Sequence, residues 1–483
     1  MASRVHKLLI NGRLVAAEAG ATKKVINPST GEAFASVADA SINDLNAAVA
    51  AGKEAFKTWR KVPFRERADC LKRFGEELQQ RAQEFSEALT LEQGKPLMFA
   101  MGEVMTCVNK CRDLGKEDLL LPRVVKEDKH GRVEIHYIPR GVVGGITPWN
   151  FPMSMAANKV FPAVITGNTI VLKPSPYTPV TTAMMGEIAQ KCFPPGVVNI
   201  VTGGNELGRW IVSHDDVSHI TFTGSEATGR AIMQECSKTV KKVTLELGGN
   251  DAAIVMPNTN IDEVAPKIFF AGMFNSGQTC IAIKRVYVHE DQYEEMVSKI
   301  SKVAEAAKVG DGFGDGVAYG PMNNKMQLNR VETLVEDARN GGARIVTGGE
   351  RLVVPGHENG YFYKPTIIAD VNDDARIVKE EQFGLALPIL KYSSVDDAVC
   401  RANNSKYGLG GSVWGPDAEK AAEVALELES GMSWVNQHLS GNEQAPFGGV
   451  KSSGVGREGG GIIGLSEFVE TKSLYVRKLK SSL

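Results

Sequence analysis

The apolar positions near the start of the chain first cluster in short runs and then recur at helical spacing. Lys7-Leu8-Leu9-Ile10 and Arg13-Leu14-Val15-Ala16 flank Asn11-Gly12, a dipeptide that accepts the positive φ angles of a tight hairpin turn, so a hairpin is predicted there. A helix is predicted from about residue 42, with Ser41 and Asp44 spaced as a capping box. Leu71, Phe74, Leu78, Ala82, Phe85 and Leu89 recur at three- and four-residue steps. That spacing predicts one long helix over 65–93 with a single buried face, stopped by Gly94 and Pro96.

From residue 141 the rhythm changes. Short β-rich runs at 141–146, 169–175, 197–203, 219–225 and 242–249 alternate with helix-compatible segments such as 178–192 and 226–238. This alternation predicts a parallel α/β sheet. Ligands of such sheets bind at the carboxyl ends of the strands. Four of these ends carry a group of interest: Asn150 just after the first, then Lys173, Ser225 and Glu246. A second α/β region is predicted over about 250–445, with strands at 251–257, 284–290 and 386–392 and helices at 258–275, 291–307 and 324–340. The segment 124–140 is a polar two-strand pattern around His130-Gly131 that interrupts the first region and presents an open edge.

Composition narrows the class. The chain has 483 residues, 43% of them hydrophobic, and a net charge of -2. It is long enough for two or three domains, and it has no broad basic field for nucleic acid or an acidic membrane. The apolar run Leu8–Ile10 is too short for a signal-peptide core. The most apolar region, 141–172, is interrupted by Pro148, Asn150, Pro152, Asn158, Lys159, Pro162 and Asn168, and a membrane-spanning helix needs about 20 mostly apolar residues. Seven scattered cysteines do not read as a disulfide framework, so a reducing compartment, the cytoplasm, is expected. The last residues, Ser481-Ser482-Leu483, are similar to a peroxisomal Ser-Lys-Leu signal but lack its basic middle residue. Peroxisomal targeting is the lesser expectation.

Three residues stand in settings suited to chemistry. Cys280 lies among small polar neighbours in FNSGQTC, where backbone amides can stabilise a thiolate, although a lone cysteine more often packs as a small hydrophobe. Glu246, in a β-rich run before Gly248-Gly249, is expected to be buried, which raises a carboxylate toward the pKa of a neutral-pH base. Asn150 sits between Pro148 and Pro152, which fix the direction of its amide and suit it to an oxyanion. Cys107 and Cys111 read as packing, because nothing completes a zinc pattern near them. The eight histidines likewise show no metal-binding spacing, so no metal is expected. Gly454 to Gly459 matches G-x-G-x-x-G, but no strand precedes it and no acidic residue follows at the required distance.

Taken together, PWNFP with Asn150, LELGGN with Glu246 and FNSGQTC with Cys280 resemble the defining motifs of the aldehyde dehydrogenase superfamily, in its order and spacing. KPS (173–175), FTGS (222–225), EEQFG (380–384) and PFGGVKSSGVGRE (446–458) add to the resemblance, which spans nearly the whole chain. The resemblance implies that Cys280 attacks the aldehyde, that Asn150 and the Cys280 amide hold the oxyanion, and that Glu246 activates water to release a free acid. It implies NAD or NADP as cofactor. Lys173, Ser175 and Pro176 would lie by the adenosine ribose, and Gly224 and Ser225 by the pyrophosphate. Glu381 would take the nicotinamide ribose, and Phe383 would pack by the nicotinamide. Ile146, Thr147, Pro148, Trp149, Gly208, Phe222 and Leu247 would complete the cofactor cleft. Phe151, Met155, Asn158, Thr279, Ile281 and Phe447 would line the substrate tunnel, and Lys159 would support the site from behind.

The fold implied is α/β: a Rossmann-like cofactor domain at 1–118 and 138–248, an α/β catalytic domain at 249–467, and a small β oligomerisation arm at 119–137 and 468–483. A homodimer or homotetramer follows from the arm, with a small aldehyde as the other partner and neither nucleic acid nor membrane. Departures from the family pattern bear on specificity. Pro176 stands where many NAD-preferring members have a ribose-binding glutamate, so NADP becomes plausible beside NAD. Leu385 and Asn250 replace a frequent proline and lysine, with little effect expected. Asn158 stands where succinate-semialdehyde members typically have an arginine, and Ala282 where many have a second cysteine. Both lower that substrate to an alternative and leave the tunnel to an apolar aldehyde or one with a polar or amino group. A CoA-acylating enzyme is disfavoured by Glu246. A cysteine ester hydrolase and a non-catalytic relative are the remaining alternatives.

Overall fold

A computed structural model of the protein describes residues 5–442 and 444–478. The Ser481-Ser482-Leu483 tripeptide and the end of the expected arm lie outside the described residues. Asn11 (φ 50°) and Gly12 (φ 71°) make the left-handed turn between strands Leu8–Ile10 and Arg13–Val15. Ser41 and Asp44 close a capping box on the helix Ile42–Trp59.

The expected helix over 65–93 is two helices, Phe64–Gln80 and Ala82–Gln93. The break falls at Arg81 (φ -103°, ψ 15°), whose guanidinium binds Glu84 and Glu187. The apolar phase continues through the break: Leu71, Phe74 and Leu78 are buried on one helix and Phe85 and Leu89 on the next. Periodicity alone therefore reads through it. The helices Pro152–Ile165 and Asn205–Ser213 fill gaps between the β-rich runs, whereas Leu97–Leu114, Val395–Asn403 and Ala418–Leu426 lie where the sequence pattern named no helix.

An eight-stranded sheet holds the first α/β region. Its order is Gly454–Val455, Lys242–Glu246, Val217–Thr223, Val142–Ile146, Thr169–Lys173, Val198–Ile200, Leu8–Ile10, Arg13–Val15. The five central strands from Lys242–Glu246 to Val198–Ile200 are parallel, and antiparallel strands close both sides. Side chains of the central strands feed two cores. Val142 and Val171 pack with Leu45, Val49 and Ile211. Val143, Ile170 and Leu172 pack with Phe74, Met153, Phe161 and Met184. Burial on both faces is what makes these runs continuously apolar. Gly145 has a steric reason: a Cβ there would lie 2.8 Å from Leu172 Cδ1 and 3.6 Å from Lys159 Cβ. The bare backbone lets the helix Pro152–Ile165 settle close to the sheet.

The second sheet has the order Arg344–Thr347, Thr366–Ala369, Ala386–Tyr392, Ile283–His289, Asp251–Val255, Gly410–Trp414, Met432–Val435. It is parallel except for the first pair. Its core joins Ile254, Tyr287 and Ile389 with Phe269, Ile300 and Leu334 of the covering helices. A third sheet pairs Val469–Arg477 with Gly131–Pro139, and that strand with Arg123–Asp128. The strand Arg123–Asp128 is exposed along its whole length. Among the described residues no helix is long and apolar enough to cross a membrane.

Asn168 joins three distant segments. Its buried amide donates to Thr166 Oγ1 and to the Phe468 carbonyl, and its oxygen accepts from Gly141 N–H at 2.9 Å. Asn168→Ala strands these groups inside the protein, at about 1–3 kcal/mol for each unsatisfied partner. The variant is expected to unfold at lower denaturant concentration with the steepness of the transition unchanged. A wild-type midpoint would show that water replaces the amide.

Candidate active site

The carboxyl ends of the first sheet face the amino ends of the second. Ile146, Lys173, Thr223 and Glu246 each end a strand of the former. Asp251 opens a strand of the latter, and Cys280 lies just before the strand Ile283–His289. The sequence-predicted groups thus meet in one cleft although they are spread over most of the chain.

Cys280 follows the tight segment Phe274–Gly277, in which Asn275 (φ 54°), Ser276 (φ 58°) and Gly277 (φ 72°) are all left-handed. For Asn275 and Ser276 this costs about 1–3 kcal/mol each and requires surroundings that enforce it. Those surroundings are present. Ser276 Oγ donates to Gly320 O at 2.9 Å, Gln278 Nε2 to Asn275 O at 3.0 Å, and Asn323 N–H to Gln278 Oε1 at 2.8 Å. A Cβ at Gly277 would collide with the Gly384 carbonyl, so the segment presses directly on the EEQFG loop. Cys280 is half-buried at the end of this strained turn.

Asn150 is buried beside it. Its Nδ2 donates to Gln278 O at 2.9 Å, which leaves the second amide hydrogen for another acceptor. Its carbonyl accepts from Asn275 Nδ2 at 3.1 Å and from Lys95 Nζ at 3.0 Å. Lys95 pairs with Glu103 at 2.6 Å, and both side chains are almost fully buried. The other Glu103 oxygen accepts from Met153 and Ser154 N–H at 3.0 Å. A carboxylate there complements the first turn of the helix Pro152–Ile165. The Lys95 ammonium also sits 3.9 Å from the Phe151 ring centroid.

Glu246 is buried, and neither of its carboxylate oxygens has a hydrogen-bond partner among the described residues. Burial, with Glu458 beside it, pushes its carboxyl well above the ordinary range, while Lys159 and Arg457 oppose that shift. Lys159 donates to Glu458 at 2.7 Å and to Thr223 Oγ1 at 2.8 Å. A Cβ at Gly448 would lie 2.6 Å from Glu246 Oε1, so the glycine leaves the carboxylate its room. An orphaned buried carboxylate calls for a functional explanation.

The residues expected at the cofactor line the same cleft. Thr147 N–H donates to Lys173 O. Trp149 meets Phe383 edge to face, with centroids 5.3 Å apart. Lys173 is buried, its ammonium lowered to about 8 by burial and by Lys23, and its stem lies 3.8 Å from a Cβ placed at Gly208. Ser175 Oγ accepts from Tyr177 N–H at 3.3 Å, across Pro176. Ser225 caps the helix Glu226–Ser237. Gly224 abuts the Phe222 ring, and Gly229 packs under Leu247. Glu381 accepts from Gly249 N–H at 3.1 Å and pairs with Lys284 at 3.4 Å. The start of the helix Glu226–Ser237, with its Ser225 hydroxyl cap and first-turn amides, fits the pyrophosphate of a dinucleotide.

The expected substrate residues fall into several contacts. Phe151 stacks on Phe274 at 6.0 Å, and Phe99 and Phe270 pack on the same ring at 5.4 and 5.5 Å. Met155 lies one turn further along the Pro152–Ile165 helix. Thr279 Oγ1 donates to Phe274 O, and Phe447 pairs with Glu458. Ile281 presents its carbonyl to His438. Asn158 has two charged neighbours. Its Oδ1 accepts from Lys110 Nζ at 2.6 Å and its Nδ2 reaches Glu458 at 3.4 Å. A neighbouring cation thus occupies one of the two lone pairs of its oxygen.

Sequence reading missed Lys95, Glu103, Lys110, Lys284, Glu458 and His438. Gly94-Lys95-Pro96 read only as a helix stop. Glu103 and Lys284 interrupt apolar runs, LMFAMGEVM and IAIKRVYV. A charge inside such a run was the one signal available, and it names no partner.

The sequence model described as "Aldehyde dehydrogenase family" matches residues 14–474. Succinate-semialdehyde dehydrogenase, mitochondrial, of Arabidopsis thaliana is 39% identical over 96% of this chain and 88% of its own. Aldehyde dehydrogenase, mitochondrial, of Leishmania tarentolae is also 39% identical, over 97% and 94%. Among solved structures, the NAD+ complex of aldehyde dehydrogenase from Bacillus cereus superposes with a TM-score of 0.94 at 36% identity, covering 98% of this chain and 97% of that one. A 3,6-anhydro-L-galactose dehydrogenase in complex with NAP gives 0.93 at 34%, covering 98% and 100%.

Removing one partner of the Lys95–Glu103 pair leaves an uncompensated buried charge, at about 3–5 kcal/mol. Lys95→Met is expected to lower the unfolding free energy by that order and to release Asn150 and Phe151 from their fixed positions. A chemical-denaturation midpoint equal to wild type would remove the pair from this account.

Proposed function

We propose the following chemistry for this chain, which belongs to the aldehyde dehydrogenase family and is an NAD(P)-dependent oxidoreductase acting on aldehydes. Cys280 is the nucleophile. The thiolate adds to the aldehyde carbonyl, and the oxyanion so formed lies between the Cys280 N–H and the free hydrogen of the Asn150 amide. Removing one such donor typically costs about 100- to 1,000-fold in rate. Bound NAD or NADP supplies the hydride acceptor. Glu246 then takes a proton from the water that hydrolyses the Cys280 thioester; nearby Glu458 favours its protonated form and Lys159 its charged form. The observation that carries the reading is the joint placement of these groups. Asn150 Nδ2 is tied to the Cys280 turn at 2.9 Å, and a buried, unpartnered carboxylate sits in the same cleft.

Cofactor choice follows from the adenosine end. NAD is the leading cofactor, and NADP is accepted as well because Pro176 offers neither an acceptor to the ribose nor a charge against a 2′-phosphate. Solved relatives carry both. The Phe99, Phe151, Phe270 and Phe274 group, with Met155 and Phe447, favours an aldehyde with an apolar or aromatic body. Succinate semialdehyde is the second reading, supported by the names of the plant relatives. The cytoplasm remains the expected location.

The three-stranded sheet is the expected oligomerisation arm, because the strand Arg123–Asp128 leaves a row of backbone groups for a partner. A homodimer or homotetramer follows. Truncation before residue 468 is expected to give monomer or insoluble protein on sedimentation. An oligomer of unchanged size would exclude the arm from assembly.

Nicotinamide reduction measured with NAD and NADP across aliphatic, aromatic, amino and carboxylated aldehydes tests the chemistry. Cys280→Ala should abolish it. Glu246→Gln should retain a single burst of reduction and lose steady turnover. The base must be deprotonated and its pKa is raised, so the deacylation rate should climb with pH through a limb above the ordinary carboxylate range. Lys159→Met removes an opposing cation and should move that limb to higher pH. Aldehyde-independent, Cys280-dependent ester cleavage without reduction would sink the dehydrogenase chemistry.

A further inference from the structure

The Cys280 turn is held from behind. Lys284, at the start of the next strand, folds its side chain back under its own turn. Its Nζ donates to Thr279 O at 2.8 Å, to Cys280 O at 2.7 Å and to Ala282 O at 3.4 Å. The carbonyl between them, Ile281 O, is met by His438 Nε2 at 2.7 Å. Four consecutive carbonyls therefore point to the buried side. In a trans peptide the N–H points opposite to the C=O. Fixing Thr279 O and Cys280 O behind the turn thus throws the Cys280 and Ile281 N–H groups forward. Among the described residues neither amide meets a protein acceptor.

A neutral donor such as glutamine would staple carbonyls at lower cost. A lysine only 3% exposed instead carries a dehydration penalty of several kcal/mol. What the charge adds is a field at the sulfur. Burial pushes the Cys280 thiol up to about 12, Lys284 pulls it down, and Glu381, Asp251 and Glu246 push it up. The carboxylate nearest the ammonium is Glu381 at 3.4 Å. Asp251 lies on the same side, its carboxyl raised to about 7 by burial, and its Oδ2 is 3.7 Å from His438 Nε2. His438 is held neutral by its burial, its imidazole lowered to about 3. Lys284 is therefore the cation that faces the thiol across this buried group.

We propose that Lys284 is a positioning residue for Cys280: its ammonium aims the Cys280 N–H at the aldehyde oxygen and supplies the field in which the sulfur ionises, while Glu381 holds that field in check. The role rests on Cys280 being the nucleophile, as proposed above.

The test is the pH dependence of Cys280 carbamidomethylation by iodoacetamide in the free enzyme, followed on the Cys280 peptide by mass spectrometry. Lys284→Met should raise the midpoint by about one pH unit, the scale of an opposite charge at short range. It should also lower kcat about tenfold while leaving KM for the aldehyde nearly unchanged. Lys284→Arg should keep the midpoint near wild type. Glu381→Gln should lower it, because the check on the field is gone. A Lys284→Met protein that melts like wild type and keeps the wild-type midpoint would overturn the proposal. If that variant does not fold, an unmoved midpoint in Glu381→Gln overturns it instead. Absence of aldehyde-dependent reduction in the wild type would refute the catalytic reading of the site and leave the alkylation profile to judge Lys284 separately.

Discussion

An ammonium ion stripped of water must find its acceptors inside the protein, and this requirement organises the site. Lys95, Lys159 and Lys284 are almost fully buried, at 2%, 0% and 3% exposure, as is Lys173 at the adenosine end of the cleft. Each of the first three stands behind one of the proposed catalytic groups. Lys95 holds the Asn150 carbonyl, Lys159 sits with Glu458 beside Glu246, and Lys284 holds the Cys280 turn. None would remain buried without carbonyls or carboxylates closely arranged around it. Those carbonyls belong to the residues that must be rigid. Dehydrating the lysines and immobilising the catalytic backbone are therefore the same act.

The two sheets make this arrangement accessible. Parallel strands deliver their following loops to one edge, so Asn150, Lys173, Ser225 and Glu246 arrive together despite lying far apart in sequence. The second sheet presents its opposite edge, with Asp251, Cys280 and Lys284 at the starts of its strands. Charged groups concentrate where the two edges meet because that seam is the one place where buried loops leave backbone groups free to bind them.

Much of this was legible from residues alone. Asn11-Gly12 and the Ser41–Asp44 box specify local geometry, and the structure contains both. The β-rich runs at 141–146, 169–175 and 219–225 are strands because residues buried on both faces must be apolar throughout. The motifs around Asn150, Glu246 and Cys280 pointed to one family before any contact was known. The break at Arg81 was hidden because the apolar phase runs through it. Lys95 and Lys284 were harder to read, whereas the family resemblance already set Lys159 behind the site. A lysine in an apolar stretch looks the same whether its head escapes to water or finds carbonyls, and its acceptors come from other loops. Asn158 shows the same limit: its identity was known, but the cation that occupies its oxygen comes from another helix.

The pairing of Val469–Arg477 with Gly131–Pro139 has a consequence for how the protein is made. Strands more than 300 residues apart cannot meet until the second has been synthesised, and closing so long a loop is slow relative to local structure. The segment just before Val469–Arg477 supplies Gly448 and Glu458 beside Glu246, and Gly454–Val455 closes the first sheet there. A nascent chain therefore carries its thiol turn long before the pocket of its base exists.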